Sequence, residues 1–265
     1  MTRTLRALPT LVRVGLAEAM AYRAELVIWI LTTTMPLVML PLWQAVAASG
    51  PVHGFAGADF VAYFLATFVV RQLTSAWASW TLHDEIRRGT LAMRLLRPVH
   101  PFWAYLIENL AALPLRLAVA LPFALGALVW TSWDRLEHDP WRLMLLLPAL
   151  LGAWALTFAV HLVVGVLCLW NQGAIRVMDA WTVGYFVLSG YLVPLAVFPA
   201  PMRAWPQHLP FHFQLGFPVE LATGALETTE ALRMLGEQWI YVLSFTALCA
   251  VLWHRGLARF QAHGG

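Results

Sequence analysis

The stretch "HDEIRRGTLAMRLLRPVHP", residues 83–101, lies between two long apolar runs and carries Asp84, Glu85, Arg87, Arg88, Arg94 and Arg97. Gly89 interrupts it, and Thr90 stands where a helix N-cap would be. Leu91 to Arg97 then make about two turns before Pro98 ends them. Leu91 and Leu95 fall on one face, Arg94 and Arg97 on another. The spacing predicts a short amphipathic helix with its polar side outward, shaped to dock into a groove on a second protein. A solvated loop would account for the arginines, but not for a capped helix with acids just upstream.

The flanking runs set the fold class. Of 265 residues, 60% are hydrophobic and 12% charged, with a mean hydropathy of +0.68. Soluble domains carry about a quarter charged residues, so half that charge cannot keep this surface in water. The chain reads as an all-α integral membrane protein in a single domain, 1–265. Every basic side chain is arginine, and no lysine occurs. A Walker A loop needs a lysine to reach the terminal phosphates, so this chain by itself is no P-loop ATPase. The isoelectric point near 9.2 does not indicate nucleic acid, because the arginines flank apolar runs and suit anionic lipid headgroups. Cys168 and Cys249 lie inside apolar runs and support neither a disulfide scaffold nor a metal site.

Crossing the hydrocarbon takes about 20 apolar residues as a helix. Six spans are predicted: Leu26 to Ala48, Phe60 to Leu82, Phe102 to Trp133 (bent at Pro114 and Pro122), Leu143 to about Trp170, Ala180 to Val197, and Gln238 to Trp253. Six spans put both termini on one side. That side holds Arg3, Arg6, Arg13, Arg23, Arg87, Arg88, Arg94, Arg97, Arg176, Arg255 and Arg259, against Arg135, Arg142, Arg203 and Arg233 on the other. The bias predicts cytoplasmic termini and a cytoplasmic segment 84–97.

Two further segments are expected to lie flat or fold back. In residues 1–24, Leu5, Leu8, Val12, Leu16 and Met20 recur every three or four positions, as in an interfacial helix. Between spans five and six, Pro194, Pro199, Pro201, Pro206, Pro210 and Pro218 forbid one continuous helix. Residues 198–236 therefore read as re-entrant or interfacial helices on the outer side, the alternative being an aromatic-rich loop. His208 and His212 stand four apart, but Pro210 lies between them and no third ligand is near, so no metal site is expected. Arg71, Glu108, Arg116 and His161 fall inside predicted spans, where charge is costly and marks a path or an internal pairing. Arg71 is placed either to line a conduit for an anionic headgroup or to pair with Glu108, and His161 to pack through a hydrogen bond. No catalytic residue is expected.

This layout resembles the ABC-2 type permease family, the membrane subunits of exporters driven by a separate ATPase. "EIRRGTLAMRLLRPVHP" is similar to a cytoplasmic signature of one branch: an acid, Arg-Gly, a leucine pair, then Arg-Pro. "LPFHFQLGFPVELATG" is similar to its outer signature, with Leu-Pro-Phe, Phe-Pro and a later Gly. Ala92 departs from the pattern, which often has an acid there. The resemblance implies two permease subunits, identical or homologous, above two ATP-binding subunits that carry the ATP and magnesium. It makes Asp84, Glu85, Arg87, Arg88, Leu91, Arg94 and Arg97 contacts of a coupling helix, and 1–24 an elbow helix. It also implies a bacterial cytoplasmic (inner) membrane and export of an amphiphilic or hydrophobic substrate. A membrane-embedded lipid-modifying enzyme or a secondary transporter are the competing classes; the first would draw on Asp134, Glu137, His138 and Asp139, the second on Glu108.

Overall fold

The computed structural model describes residues 33–258, together with Thr10 and Arg13. The 1–24 helix, the start of the Leu26–Ala48 span and Arg259 lie outside the described residues. Within them the regular elements are helices, with one isolated bridge between Val52 and Phe55.

Helix α1, Met35–Ala47, opens with Pro36 in its first turn, where a missing N–H costs nothing. Helix α2, Gly57–Thr74, is capped by Asp59, whose Oδ2 accepts from the Ala56 N–H at 2.8 Å. Helix α3, Ala78–Arg88, continues it, and the two together cover 32 residues. At about 1.5 Å per residue that is about 48 Å, longer than a hydrocarbon core of about 30 Å. One end must project, and the polar end is Asp84–Arg88. Between α2 and α3 the Thr74 and Ser75 hydroxyls donate to the carbonyls of Val70 and Arg71. Such back-bonding bends helices, and Ser75 goes extended at φ −70°, ψ 142°.

Helix α4, Leu91–Leu95, is followed by α5, Pro101–Ala111, and α6, Leu113–Ser132. The single span predicted over Phe102 to Trp133 is thus two helices, divided at Ala112. Pro114 offers no N–H to the carbonyl four residues back and clashes with it, whereas Pro122 is absorbed within α6. Helix α7, Pro140–Leu167, is the unbroken centre of the bundle, its start capped by Asp139, whose Oδ1 accepts from the Trp141 N–H. The small residues Ala149, Gly152 and Ala153 on its buried side admit Gln238 of the last helix.

The predicted fifth span, Ala180 to Val197, is corrected to α8, Arg176–Leu188. It ends because Gly190 adopts φ +88°, which favours glycine. The Tyr63 hydroxyl donates to the Gly190 carbonyl at 2.9 Å, and a Cβ there would meet the hydroxyl oxygen at 2.2 Å. The proline-rich stretch forms α9, Ala200–Arg203, α10, Pro210–Gln214, and α11, Gly216–Ala222. Phe213, Phe217 and Leu221 are buried against Leu156 and Val160 of α7 and Met234 and Val242 further on, so α10 and α11 are no surface loop. The predicted sixth span, Gln238 to Trp253, extends to α12, Thr228–Leu257. Charge does not stop a helix when it pairs along it: Arg233 donates to Glu237 one turn on, at 2.9 Å.

Three described stretches are long and apolar enough to cross a membrane: Gly57–Arg88, Pro140–Leu167 and Thr228–Leu257. The helix ends assort into two groups. Arg135, just after α6, pairs with Asp59 of α2, and the Glu137 N–H donates to the carbonyl of Ala222. At the opposite end Ile86, Leu91, Tyr105, Cys168 and Trp253 share one core cluster.

Candidate functional site

The polar segment after α3 folds back on itself. Gly89 ends α3 in the left-handed region at φ 73°, a conformation that costs other residues a Cβ clash. Thr90 occupies the cap position of α4, but its side chain makes no capping hydrogen bond. The helix is also shorter than its predicted extent, Leu91 to Leu95 rather than to Arg97.

What holds α4 in place is Leu91, fully buried among Ile86, Tyr105 and Trp253, and Arg94. The Arg94 guanidinium pairs with Glu85 of α3 and donates to Glu108 of α5 at 2.8 Å, with its face 4.6 Å from the Tyr105 ring centroid. The Tyr105 hydroxyl donates to the second oxygen of Glu85. Burial opposes the Arg94 charge, yet Glu108 and then Glu85 hold its pKa above the usual arginine value. Three elements are stapled by one cation at 17% side-chain exposure.

The remaining predicted contacts point the other way. Asp84 accepts from Arg87 and Arg88, which are 60% and 66% exposed. Arg97, Met93 and Leu96 are exposed beside them, the last two at 67% and 81%. So Glu85, Leu91 and Arg94, expected as outward contacts, are turned inward. Met93 and Leu96, which periodicity did not single out, complete the outward face.

The intramembrane quartet divides as well. Glu108 belongs to the clamp, and its arginine is Arg94, not the Arg71 considered from sequence. Arg71, near the end of α2, lays its guanidinium carbon 5.0 Å from the Tyr185 ring centroid. Arg116 of α6 is 4% exposed, stacks 4.4 Å over Trp77 and donates to Ser75 Oγ at 3.0 Å. His161 of α7 shares a 2.8 Å hydrogen bond with Ser79 and is buried.

Asn109 was missed. Its Oδ1 accepts from the Trp77 N–H at 3.0 Å, satisfying a donor that the break between α2 and α3 releases, while Nδ2 donates to Tyr105 O. Its signal was present in the sequence: one amide within a long apolar run, where unpaired polar groups are costly. Arg71, Trp80, His161, Tyr185 and Gln214 border a cavity of about 360 Å³ beside this break. Among the described residues no group of three His, Cys, Asp or Glu side chains could hold a metal.

A family model described as "ABC-2 family transporter protein" matches residues 27–264. No curated protein and no solved structure matches the chain.

Proposed function

The chain belongs to the ABC-2 transporter family, and from that premise we propose that it is a six-span permease subunit whose α3–α4 corner receives the ATPase. As a member it is a multi-pass membrane permease of an ABC transporter, and the family implies association with an ATP-binding subunit. The reading adds α1 with residues before it, α5–α6 and α8 as spans beside the three long crossing stretches. The arginine-rich end of the bundle is assigned to the cytoplasm by the positive-inside rule.

One observation carries the docking reading. The corner is held rigidly from inside by Arg94 and Leu91, yet it presents Arg87, Arg88, Met93, Leu96 and Arg97 outward. Apolar side chains ringed by cations suit an acidic groove with an apolar floor. When ATP closes the paired ATPase subunits, a stapled corner passes that motion to α3 and α5 together. Both are joined to helices broken inside the bundle, at 75–77 and at Ala112. Movement of these half-helices would open and close a path for an amphiphilic or hydrophobic substrate, exported through a pair of such subunits, identical or homologous. Residues 1–24 are assigned as the elbow helix and 198–227 as the outer re-entrant segment, the last part of the expected 198–236 stretch being the start of α12.

The test is Arg87→Glu with Arg88→Glu in the full chain, co-expressed with its ATPase and purified in mild detergent. The double variant should fold as the wild type does and lose at least about tenfold in ATPase association, the scale of two charge reversals at an interface. Unaltered association with normal substrate-stimulated hydrolysis would overturn the docking assignment.

A further inference from the structure

Arg87, Arg88, Arg94, Arg135, Arg142 and Arg233 each sit within ion-pair distance of a carboxylate. Arg71 and Arg116, the described arginines set within the apolar runs, have no carboxylate partner among the described residues. They are not equivalent. Arg116 spends its Nη1 on Ser75 and its face on Trp77, bracing the break between α2 and α3. Both Nε atoms are buried with no hydrogen-bond acceptor, but of the two it is Arg71, its face on Tyr185, that borders the 360 Å³ cavity. Holding a half-buried guanidinium among apolar helices with a donor unspent is costly. On the same turn of α2, Gln72 and Thr74 have their polar contacts satisfied.

We propose that this cavity binds the anionic head, phosphate or carboxylate, of the amphiphile that the permease moves, with Arg71 as the contacting residue. The proposal rests on the permease reading above. A guanidinium pairs with either group through two parallel N–H···O bonds, which are strong where water is excluded. A volume of about 360 Å³ accepts a headgroup and a few carbons, at the small end of ligand cavities. Trp80 and Phe186 on the same wall are partly exposed, which gives the alkyl part an apolar way out of the cavity. Ala76 and Trp80 flank the start of α3, so the positive end of that half-helix lies on the wall too. Asp179, exposed and also on the wall, repels an anion and turns the head toward Arg71.

The experiment is equilibrium dialysis of the full-length chain in a neutral detergent, held at one concentration. The probes are radiolabelled dodecyl phosphate, dodecanoate and the neutral dodecyl glucoside, with inorganic phosphate as competitor. Both anionic probes should bind saturably, at least about tenfold more tightly than the glucoside, as expected for a charged hydrogen-bonded pair. Arg71→Gln should lose about tenfold or more. Arg71→Lys, which keeps the charge without the fork, should lose several-fold and carries the test if the glutamine variant does not fold. Arg233→Gln, at an exposed ion pair of α12, should bind as wild type. Equal binding by Arg71→Gln and wild type, or equal binding of anionic and neutral probes, would overturn the proposal. So would inorganic phosphate displacing dodecyl phosphate at matching concentration, since the site would then hold a free ion and not an amphiphile. Such failures with ATPase association intact leave the permease reading standing, whereas loss of that association in the wild-type complex would remove its premise.

Discussion

Two arginines a short way apart in the sequence live under opposite rules. Arg94 is placed between Glu85 and Glu108 and over Tyr105, its charge balanced on every side. Arg71 is held against a tyrosine ring and forms no ion pair with a described carboxylate. The first arrangement joins three helical elements into one lever. The second leaves positive charge waiting in a cavity. A balanced cation is costly to remove once its partners are buried with it, and an unbalanced one stores an attraction that a ligand can satisfy.

Substitutions should separate the two, and the largest effect belongs to the clamp. Arg94→Ala strands Glu85 and Glu108, 14% and 26% exposed at the side chain, without their shared cation. It should cost about 3 kcal/mol, the scale of breaking a buried pair by removing one partner, read as a lowered unfolding midpoint in detergent. A cost below about 0.5 kcal/mol, the surface-pair scale, would place Arg94 with the exposed Arg87 and Arg88 and dissolve the contrast.

Asn109→Ala sits between the two extremes. It leaves the Trp77 N–H without an acceptor inside the bundle, at a cost of about 1–3 kcal/mol. The same unfolding measurement reads it. A neutral result would mean that the broken strut at 75–77 is not stitched by this amide.

Arg71→Leu completes the series with the smallest effect. Losing the contact with Tyr185 costs about 0.5–2 kcal/mol, and no longer burying a charge returns about as much. The midpoint should therefore stay within about 1 kcal/mol of the wild type or rise, while substrate-stimulated ATPase activity in the assembled transporter falls. A destabilisation as large as that of Arg94→Ala would show that Arg71, too, serves the fold.

Much of this was written in the chain. Hydropathy alone determined a helical membrane protein, because a backbone without water must satisfy its hydrogen bonds internally. The absence of lysine left no Walker A lysine in the sequence, and the polar stretch at 83–101 marked the corner between α3 and α5. Proline spacing foresaw that 198–236 is not one helix, and the run from Pro194 to Pro218 is indeed cut into short pieces.

Tertiary structure decided what periodicity could not reach. Leu91 and Arg94 face inward because Glu108 and Tyr105, more than ten residues on, meet them across α5. Helix α8 stops early because Tyr63, 127 residues away in sequence, claims the carbonyl of Gly190. Helix α12 outruns its apolar core because its charges pair along the helix. Local sequence specifies which residues can be helical and which must leave water. Which charge finds a partner, and which stands alone in the bundle, depends on distances between segments that only the packed chain sets.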